Sequence, residues 1–414
     1  MCSSIVRAVL LLLFVILFSA EALIAQTVPR EFDADDDTRF PNLPYYSYGR
    51  GLGLTTPDST YQLNIRFRMQ NRVTYTDNLD DDYSVIGEIR RLRLRFDGFV
   101  GDPRFLYAIQ LSFSPGDTGT LQAGENLNII RDAVFVYRAT PRISLGFGQT
   151  KLPGNRQRVN SSGALQLTDR SMNNAMFTID RDFGLFANYS NENPNRFSYN
   201  LRAALSDGDG RNTARSNGLS ALTGRLELMP FGSFLNNGTL FEGDLVREQT
   251  PKLLLAGTYH YNGAAQRSRG QTGSVLFEER NLRVLHLDGM LKYQGWAFMA
   301  AYMMRSTDDP VTTIRNDAGD IMRRFVFAGY GYDLQASYLL RSNYEVIGRY
   351  SHQVPETEIR MAEPERMQYT IGLTRYVWEH ALKIQGELTY ETRMFPHTAN
   401  TDLLYLRFQV EIGI

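Results

Sequence analysis

The basic side chains are the clearest chemical feature of this sequence, because nearly all of them are arginines. The 414 residues include 44 basic and 45 acidic ones, and only four of the basic residues are lysines. A guanidinium group is a planar fork of five donors that binds carboxylates and other oxyanions through paired hydrogen bonds. The formal net charge of −1 argues against a nucleic-acid partner, which normally requires a basic excess. Seven arginines lie at alternate positions of regularly alternating stretches: Arg66, Arg68, Arg72, Arg91, Arg93, Arg95 and Arg407.

Other residue types offer little for catalysis. The single cysteine, Cys2, excludes disulfides, cysteine zinc sites and thiol nucleophiles. The five histidines lack the HxxxH spacing of metal ligands, and no GxSxG motif is present. His286 and Asp288 could act as a base and its orienter, but polar lining of a strand face is the simpler interpretation. Acidic runs at 35–37 and 80–82 are interpreted as solvated linker and loop, so we expect no enzyme, metal site or cofactor.

The body of the chain alternates with a period of two residues. From Tyr61 to Tyr75, seven of the eight odd positions are apolar and none of the seven even positions is. An α-helix would place Arg66 and Phe67 on nearly the same side, so the pattern predicts a β-strand. The same alternation recurs at 91–100, 381–391 and 404–414.

The length of these stretches separates two all-β architectures. A soluble sandwich rarely needs strands of this length and would place the arginines on its outside. A membrane barrel needs roughly 9–11 tilted residues per crossing, apolar toward lipid and polar toward water. We therefore predict a transmembrane antiparallel up-and-down β-barrel of about 16 strands. The strands are placed near residues 60–75, 88–101, 105–113, 129–139, 143–150, 183–190, 196–206, 218–229, 252–262, 283–294, 296–305, 328–339, 343–352, 367–378, 381–392 and 403–414.

Connections of two lengths alternate along the chain. Long external loops are a property of bacterial outer-membrane barrels, and short turns join their strands on the periplasmic side. Connection 230–251 should be a short turn, so it carries a small extra element or reflects a wrong strand count. The long polar loops are predicted at 76–86, 114–128, 151–182, 263–282 and 306–327, and the tight turns at 102–104, 140–142 and 191–195.

The first 25 residues are interpreted as a cleaved signal peptide. Arg7 precedes an eleven-residue apolar run, Ala8 to Phe18, which is too short to span a bilayer as a helix. An N-terminal membrane anchor is the alternative. We expect a periplasmic segment at 26–59 and the barrel at 60–414, in the outer membrane of a Gram-negative bacterium.

Closure of the barrel would bring strand 403–414 beside the first hairpin. The inward faces of these three strands then combine the seven arginines with only two carboxylates, Asp97 and Glu411. Such a wall in a narrow aqueous pore concentrates anions and repels cations. In the alternative interpretation, the arginines pair with carboxylates on inward-folded loops and serve stability.

The longest loop, 151–182, is the natural candidate for a segment folded into the lumen. A loop of about thirty residues without strand pattern is usually functional or disordered. Its basic residues outnumber Asp169, Asp180 and Asp182 by five to three. We expect these five at a constriction: Lys151, Arg156, Arg158, Arg170 and Arg181.

Several short motifs occur in one order between Arg90 and Gly184: Arg90-Arg91-Leu92-Arg93 with Gly98, Asp132-Ala133, Gly148-Gln149-Thr150-Lys151-Leu152-Pro153, Ser161-Ser162 to Arg170-Ser171, and Arg181-Asp182-Phe183-Gly184. Together they resemble the phosphate-selective porin O and P family over most of residues 48–414. The resemblance implies a sixteen-stranded, trimeric barrel that passes anions such as phosphate along an arginine-lined path. Only Lys151 falls on a recognisable motif among the lysines on which family selectivity partly rests.

Two functions are carried forward. The first is a porin for passive diffusion of small, phosphate-like anions. The second is a plugged barrel with a hydrolytic, adhesive or assembly role. The expected partners are small anions, outer-membrane lipid, the barrel assembly machinery and two further copies in a homotrimer.

Overall fold

Antiparallel strands close into a barrel in the computed structural model, which describes residues 51–79, 83–118, 128–213 and 218–414. The prediction of an all-β barrel with sixteen membrane-type strands is confirmed. The described strands are β1 (Leu52–Thr55), β2 (Tyr61–Asn78), β3 (Tyr83–Val100), β4 (Asp102–Ser112), β5 (Ile130–Arg138), β6 (Ile143–Lys151), β7 (Arg181–Asn191), β8 (Ser198–Ser206), β9 (Ala221–Met229), β10 (Lys252–Arg267), β11 (Val275–Tyr293), β12 (Trp296–Ser306), β13 (Val311–Arg315), β14 (Ile321–Phe325), β15 (Gly329–Leu339), β16 (Tyr344–Pro355), β17 (Glu365–Trp378), β18 (Leu382–Met394) and β19 (Thr401–Gly413).

The barrel closes between its first and last long strands. β19 pairs with β2 from Leu403 opposite Asn78 to Gly413 opposite Arg68. Below that point the short strand β1 takes over the same edge of β2, with Leu52 opposite Ile65. β13 and β14 form a separate hairpin within connection 306–327 and do not belong to the barrel wall.

Two predicted loops are largely strand. β2 and β3 stay paired as far as Asp77 opposite Tyr83, so most of 76–86 belongs to the hairpin. β10 and β11 likewise stay paired up to Arg267 opposite Val275, across most of 263–282. The loop prediction was wrong here because it followed the loss of apolar alternation. Backbone pairing does not need that alternation once the strands extend beyond the apolar band of the membrane.

The alternation decides which way each side chain points. Outward residues are apolar and exposed, as Leu201 and Leu334 show with 52% and 53% of their surface accessible. Inward neighbours such as Asn200 and Gln335 are buried among other polar groups. This arrangement matches a barrel with lipid outside and a polar interior.

Two connections contribute side chains that contact inward-facing residues. Segment 151–182 contains α1 of this region and α2, the short helices Arg156–Val159 and Met172–Phe177. Connection 230–251 contains a 3₁₀ helix, Leu235–Leu240, so the irregular length predicted there is an extra element and the strand count stands. The two segments touch each other, because the Glu242 backbone N–H donates to the Ala164 carbonyl at 3.2 Å.

Apolar contacts hold both segments against one side of the barrel. Phe177 packs against Met303 and Phe327. Phe234, from connection 230–251, packs in a separate cluster with Leu254 and Met290. These clusters lie against β10, β11, β12 and the segment before β15, whereas the arginine-bearing strands β2, β3 and β19 form the other side.

Some expectations fall on residues that the structure does not describe. These are the signal peptide at 1–25, most of the segment at 26–59 and the acidic runs at 35–37 and 80–82. Within the described ranges, no helix has the length and apolar character needed to cross a membrane.

Candidate functional site

The β2–β3 hairpin brings four of the predicted arginines face to face. Arg66 lies directly opposite Arg95, and Arg68 lies opposite Arg93. Like charges at directly opposed positions destabilise a sheet unless other groups compensate them. The hairpin register therefore creates a demand for negative charge or for hydrogen-bond acceptors along this wall.

Carboxylates on the strands meet part of that demand. Asp97 accepts from Arg66 at 3.1 Å and from Arg95 at 2.7 Å, and it is almost fully buried. On the neighbouring strands, Arg407 donates to Glu387 at 2.9 Å. The sequence-based comparison of seven arginines with two carboxylates is therefore corrected, because closure also brings Glu387 to this wall.

Two loop carboxylates bind the remaining wall arginines. Asp169, from segment 151–182, accepts from Arg72 at 3.2 Å, from Arg90 at 2.6 Å and from Arg91 at 2.7 Å. Burial alone would raise the pKa of Asp169, but the guanidinium groups of Arg91, Arg90 and Arg72 outweigh burial and hold this pKa well below its usual range. These contacts match the alternative that arginines pair with carboxylates on loops.

Asp117 plays the same part on the other side of the hairpin. It lies in the short helix Pro115–Thr118 and pairs with Arg93 and with Arg131, the latter at 2.8 Å. Burial opposes its ionisation, but Arg93, Arg131 and Arg91 lower the pKa of Asp117 far below its ordinary value. The loop carboxylates thus remain charged and fix the wall arginines in place.

Beyond these pairs a small space remains, which we call the basic chamber. It has a volume of about 20 Å³, and within the described part of the chain no carboxylate lines it. A second space of about 40 Å³, next to the C-terminal residues Gly413 and Ile414, shares Arg68, Arg93 and Arg95 with it. The basic chamber is lined by Arg68, Arg93, Arg95, Gln110, Arg131, Lys151, Arg158, Ser161, Ser162, Arg170 and Arg181.

The predicted constriction residues separate into two groups. Lys151, Arg158, Arg170 and Arg181 line the basic chamber together with three wall arginines. Arg156 points away from it and pairs with Glu227 on β9. Of the predicted wall residues, the structure places Arg66 beside the second space and places Arg72, Arg91 and Arg407 outside both.

Hydroxyl groups join the segment to the wall across the basic chamber. Arg68 donates to the Ser161 hydroxyl at 2.8 Å and to the Ser162 hydroxyl at 3.1 Å. Arg93 donates to the same Ser162 oxygen at 2.8 Å. Gly163 comes so close that a Cβ there would lie 2.3 Å from an Arg68 nitrogen. Any larger residue at 163 would push the segment off the wall.

Arg131 is a chamber residue that the sequence pattern assigned to the lipid face. Its strand presents Asp132, Val134 and Val136 inward, so strict alternation points Arg131 outward. A register shift relative to β4 leaves Arg131 as an extra residue between the pairs Gln110–Asp132 and Leu111–Ile130. Such a bulge turns the side chain inward, and alternation alone gives no sign of it.

All four lysines bind backbone carbonyls rather than forming an open cationic surface. Lys151 donates to the Val159 and Asn160 carbonyls, both at 3.1 Å. Lys252 and Lys292 hold carbonyls of connection 230–251, and Lys292 binds three of them at 2.7–2.8 Å. Lys383 binds the Gly163 and Leu165 carbonyls. The lysines therefore fasten the inward segments.

The histidine and carboxylate that could have formed a catalytic pair are not joined. The His286 Nε2 lies 3.0 Å from the Phe177 carbonyl, whereas Asp288 pairs with Arg225 at 2.7 Å. Among the described residues, no cluster of three or more histidines, cysteines or carboxylates could hold a metal ion.

Comparison with known proteins bears on the fold and the family. The sequence model of the family described as phosphate-selective porin O and P matches residues 62–410. A comparison with curated protein sequences yields no match.

Three solved structures illustrate the likeness in fold. The outer membrane channel DcaP of Acinetobacter baumannii is 13% identical, with a TM-score of 0.56 over 87% of this chain and 99% of that chain. The anion-selective porin from Comamonas acidovorans is 11% identical, with a TM-score of 0.54 over 86% and 100%. OmpF of Salmonella typhi is 11% identical, with a TM-score of 0.52 over 87% and 100%. At such identities the likeness shows a shared barrel fold.

Proposed function

This chain belongs to the phosphate-selective porin O and P family and is an outer-membrane porin, and on that premise we propose that it passes small anions by passive diffusion. The observation that carries the proposal is the basic chamber, where eight cationic side chains and no carboxylate line the space. A positive surface inside low-dielectric walls raises the local concentration of anions and excludes cations.

The chemistry of the chamber favours phosphate-like oxyanions as solutes. Guanidinium forks bind such anions through paired, charge-assisted hydrogen bonds. Seven of the eight cations are arginines, and the Ser161 and Ser162 hydroxyls lie among them. The chamber and the adjoining space are small, so the passing solute must shed water and exchange it for these donors.

The proposal extends to the surroundings of the barrel. We infer that residues 1–25 are removed on export, that residues 26–59 lie on the periplasmic side and that segment 151–182 forms the constriction. The partners in this proposal are outer-membrane lipid around the barrel, the barrel assembly machinery during insertion and two copies of the chain in a homotrimer. The lipid contact is supported by the apolar outward face of the strands.

Ion selectivity in a planar bilayer tests the proposed function. With purified protein and a potassium chloride gradient, we expect a reversal potential of the sign that anion permeation produces. The preference should weaken as salt increases, because screening shortens the range of the luminal charge. Cation selectivity would overturn the proposal.

The plugged-barrel function has one observation in its favour, the packing of two inward segments against each other and against the wall. That function predicts a barrel without conductance under the same conditions. A sealed bilayer with correctly folded protein would therefore decide for it and against the porin.

A further inference from the structure

The basic chamber contains more positive charge than its neighbours neutralise. Five carboxylates form ion pairs with six of the eight lining cations, which leaves an excess of three positive charges. In the described part of the chain, Lys151 and Arg170 bind only backbone carbonyls. The five carboxylates are Asp97, Asp117, Asp132, Asp180 and Glu411.

Two of these carboxylates are also shared with cations outside the chamber. Asp97 binds Arg66, and Glu411 binds Lys383 at 3.3 Å. The real excess is therefore larger than three. Burying unpaired charge is strongly unfavourable, so a further negative group is required where these side chains converge.

Hydrogen-bond donors in the chamber are unfilled as well. The Nε atoms of Arg131 and Arg158 are buried and have no hydrogen-bond acceptor, although these residues are only 5% and 8% exposed. Arg68 Nε is in the same condition and reaches Glu411 only at 4.0 Å. All three residues line the chamber, so a ligand rich in acceptor oxygens would satisfy them together.

The charges also oppose docking of the segment on the wall. Arg158 and Arg170 on segment 151–182 face Arg68, Arg93 and Arg95 across the chamber. The direct links between the two sides are hydrogen bonds to serine hydroxyls, which carry no compensating charge. An anion between the two cationic surfaces would convert their repulsion into attraction for both.

We propose that one small inorganic oxyanion, of the phosphate or sulfate type, is a resident ligand of the basic chamber and joins segment 151–182 to the arginine wall. The inference rests on the proposed function in that passing anions use the same cations. It adds that the chamber is occupied at rest and that the protein is less stable without the anion.

Thermal unfolding at controlled anion composition tests this inference. The purified barrel is transferred to a buffer whose only anion is a bulky organic sulfonate. Inorganic phosphate or sulfate is then added at millimolar concentration and constant ionic strength. We expect the midpoint of β-sheet loss to rise by about 5 °C, since a ligand that binds only the folded state stabilises it.

Matched variants separate a site effect from a general salt effect. Arg170→Gln should lose most of the shift, whereas Arg283→Gln, which removes an exposed arginine paired with Asp308, should keep it. If Arg170→Gln does not fold, Arg131→Gln serves the same purpose. A midpoint that ignores phosphate and sulfate, or an equal shift in wild type and Arg170→Gln, overturns the resident anion. Anion-selective conductance with no thermal shift would refute this inference alone, and a thermal shift with cation selectivity would refute the porin proposal alone.

Discussion

At the scale of single residues, arginine and lysine have different partners in this protein. The arginines of the wall bind carboxylates and hydroxyls through their forked donors. The lysines place one compact ammonium group among backbone carbonyls, as Lys292 does with Gly238, Phe241 and Gly243. A point charge with three donors suits converging carbonyls, whereas a planar fork suits oxyanions. The scarcity of lysine therefore does not weaken the anion pathway, because the lysines serve structure.

Arg68 is the wall residue whose removal should change selectivity with least damage to the fold. It pairs with Glu411 only at 4.0 Å, so neutralising it does not break a tight ion pair. For Arg68→Gln we expect the anion-to-cation permeability ratio to fall several-fold, because one positive charge leaves the chamber. Reversal potentials in a salt gradient measure that ratio. Arg104→Gln, which changes an exposed arginine paired with Asp102 outside the lumen, is the control. An unchanged ratio in Arg68→Gln would move the selectivity filter elsewhere.

At the scale of elements, segment 151–182 behaves as a fixed wall rather than a flexible flap. Polar side chains of the barrel bind its backbone at several points, such as Gln385 to the carbonyls of Gln166 and Leu167. Its second helix is anchored by the Phe177 cluster on the opposite side. Contacts on both faces leave it little freedom, so the space between segment and wall is set by packing.

Removing the apolar anchor should release this segment. Phe177→Ala leaves a cavity beside Met303 and Phe327 and should destabilise the protein by about 3–5 kcal/mol. Part of that loss should appear locally, as trypsin cleavage at Arg158 or Arg170 that wild type resists. Mass spectrometry of the fragments identifies the sites. Leu334→Ala, on the lipid face, is the control and should leave the pattern unchanged. A Phe177→Ala segment that stays uncut would show that the polar contacts suffice.

At the scale of the whole molecule, the lumen is a balance of charges contributed from distant parts of the chain. Strands β2, β3 and β5 supply wall arginines, and segment 151–182 supplies both cations and Asp169. The chain is nearly neutral overall, yet the basic chamber is strongly positive. Selectivity is therefore a property of where the fold places charges and not of their sum.

This balance predicts how selectivity responds to acid. The folded-state pKa values of Asp117 and Asp169 are lowered, so their contribution to stability is present above the unfolded value of about 3.9. It is lost only as pH falls through the lowered folded values. We expect the same reversal potential at pH 7 and pH 4. Asp169→Asn shows the change that protonation would cause. A rise in anion preference with a midpoint near pH 4 would contradict the prediction.

The strand pattern and the inward face of the arginines could be predicted from the sequence, because both follow from a period of two. The chamber itself could not. Arg91 meets Asp169 across 78 positions, and Lys383 meets the Gly163 carbonyl across 220. Nothing in local spacing ties such distant residues together. Arg131 escaped for another reason, since a bulge reverses its direction.

Alternation of apolar and polar residues by itself determined the barrel, because a strand shows successive side chains to lipid and to water in turn. Tertiary structure alone decided which arginines are neutralised and which surround an open space. It placed Asp117 and Asp169 on one set of guanidinium groups and left Lys151 and Arg170 without carboxylates. Charge compensation acts over a few ångströms, and only the closed barrel with its inward segments brings those groups within that distance.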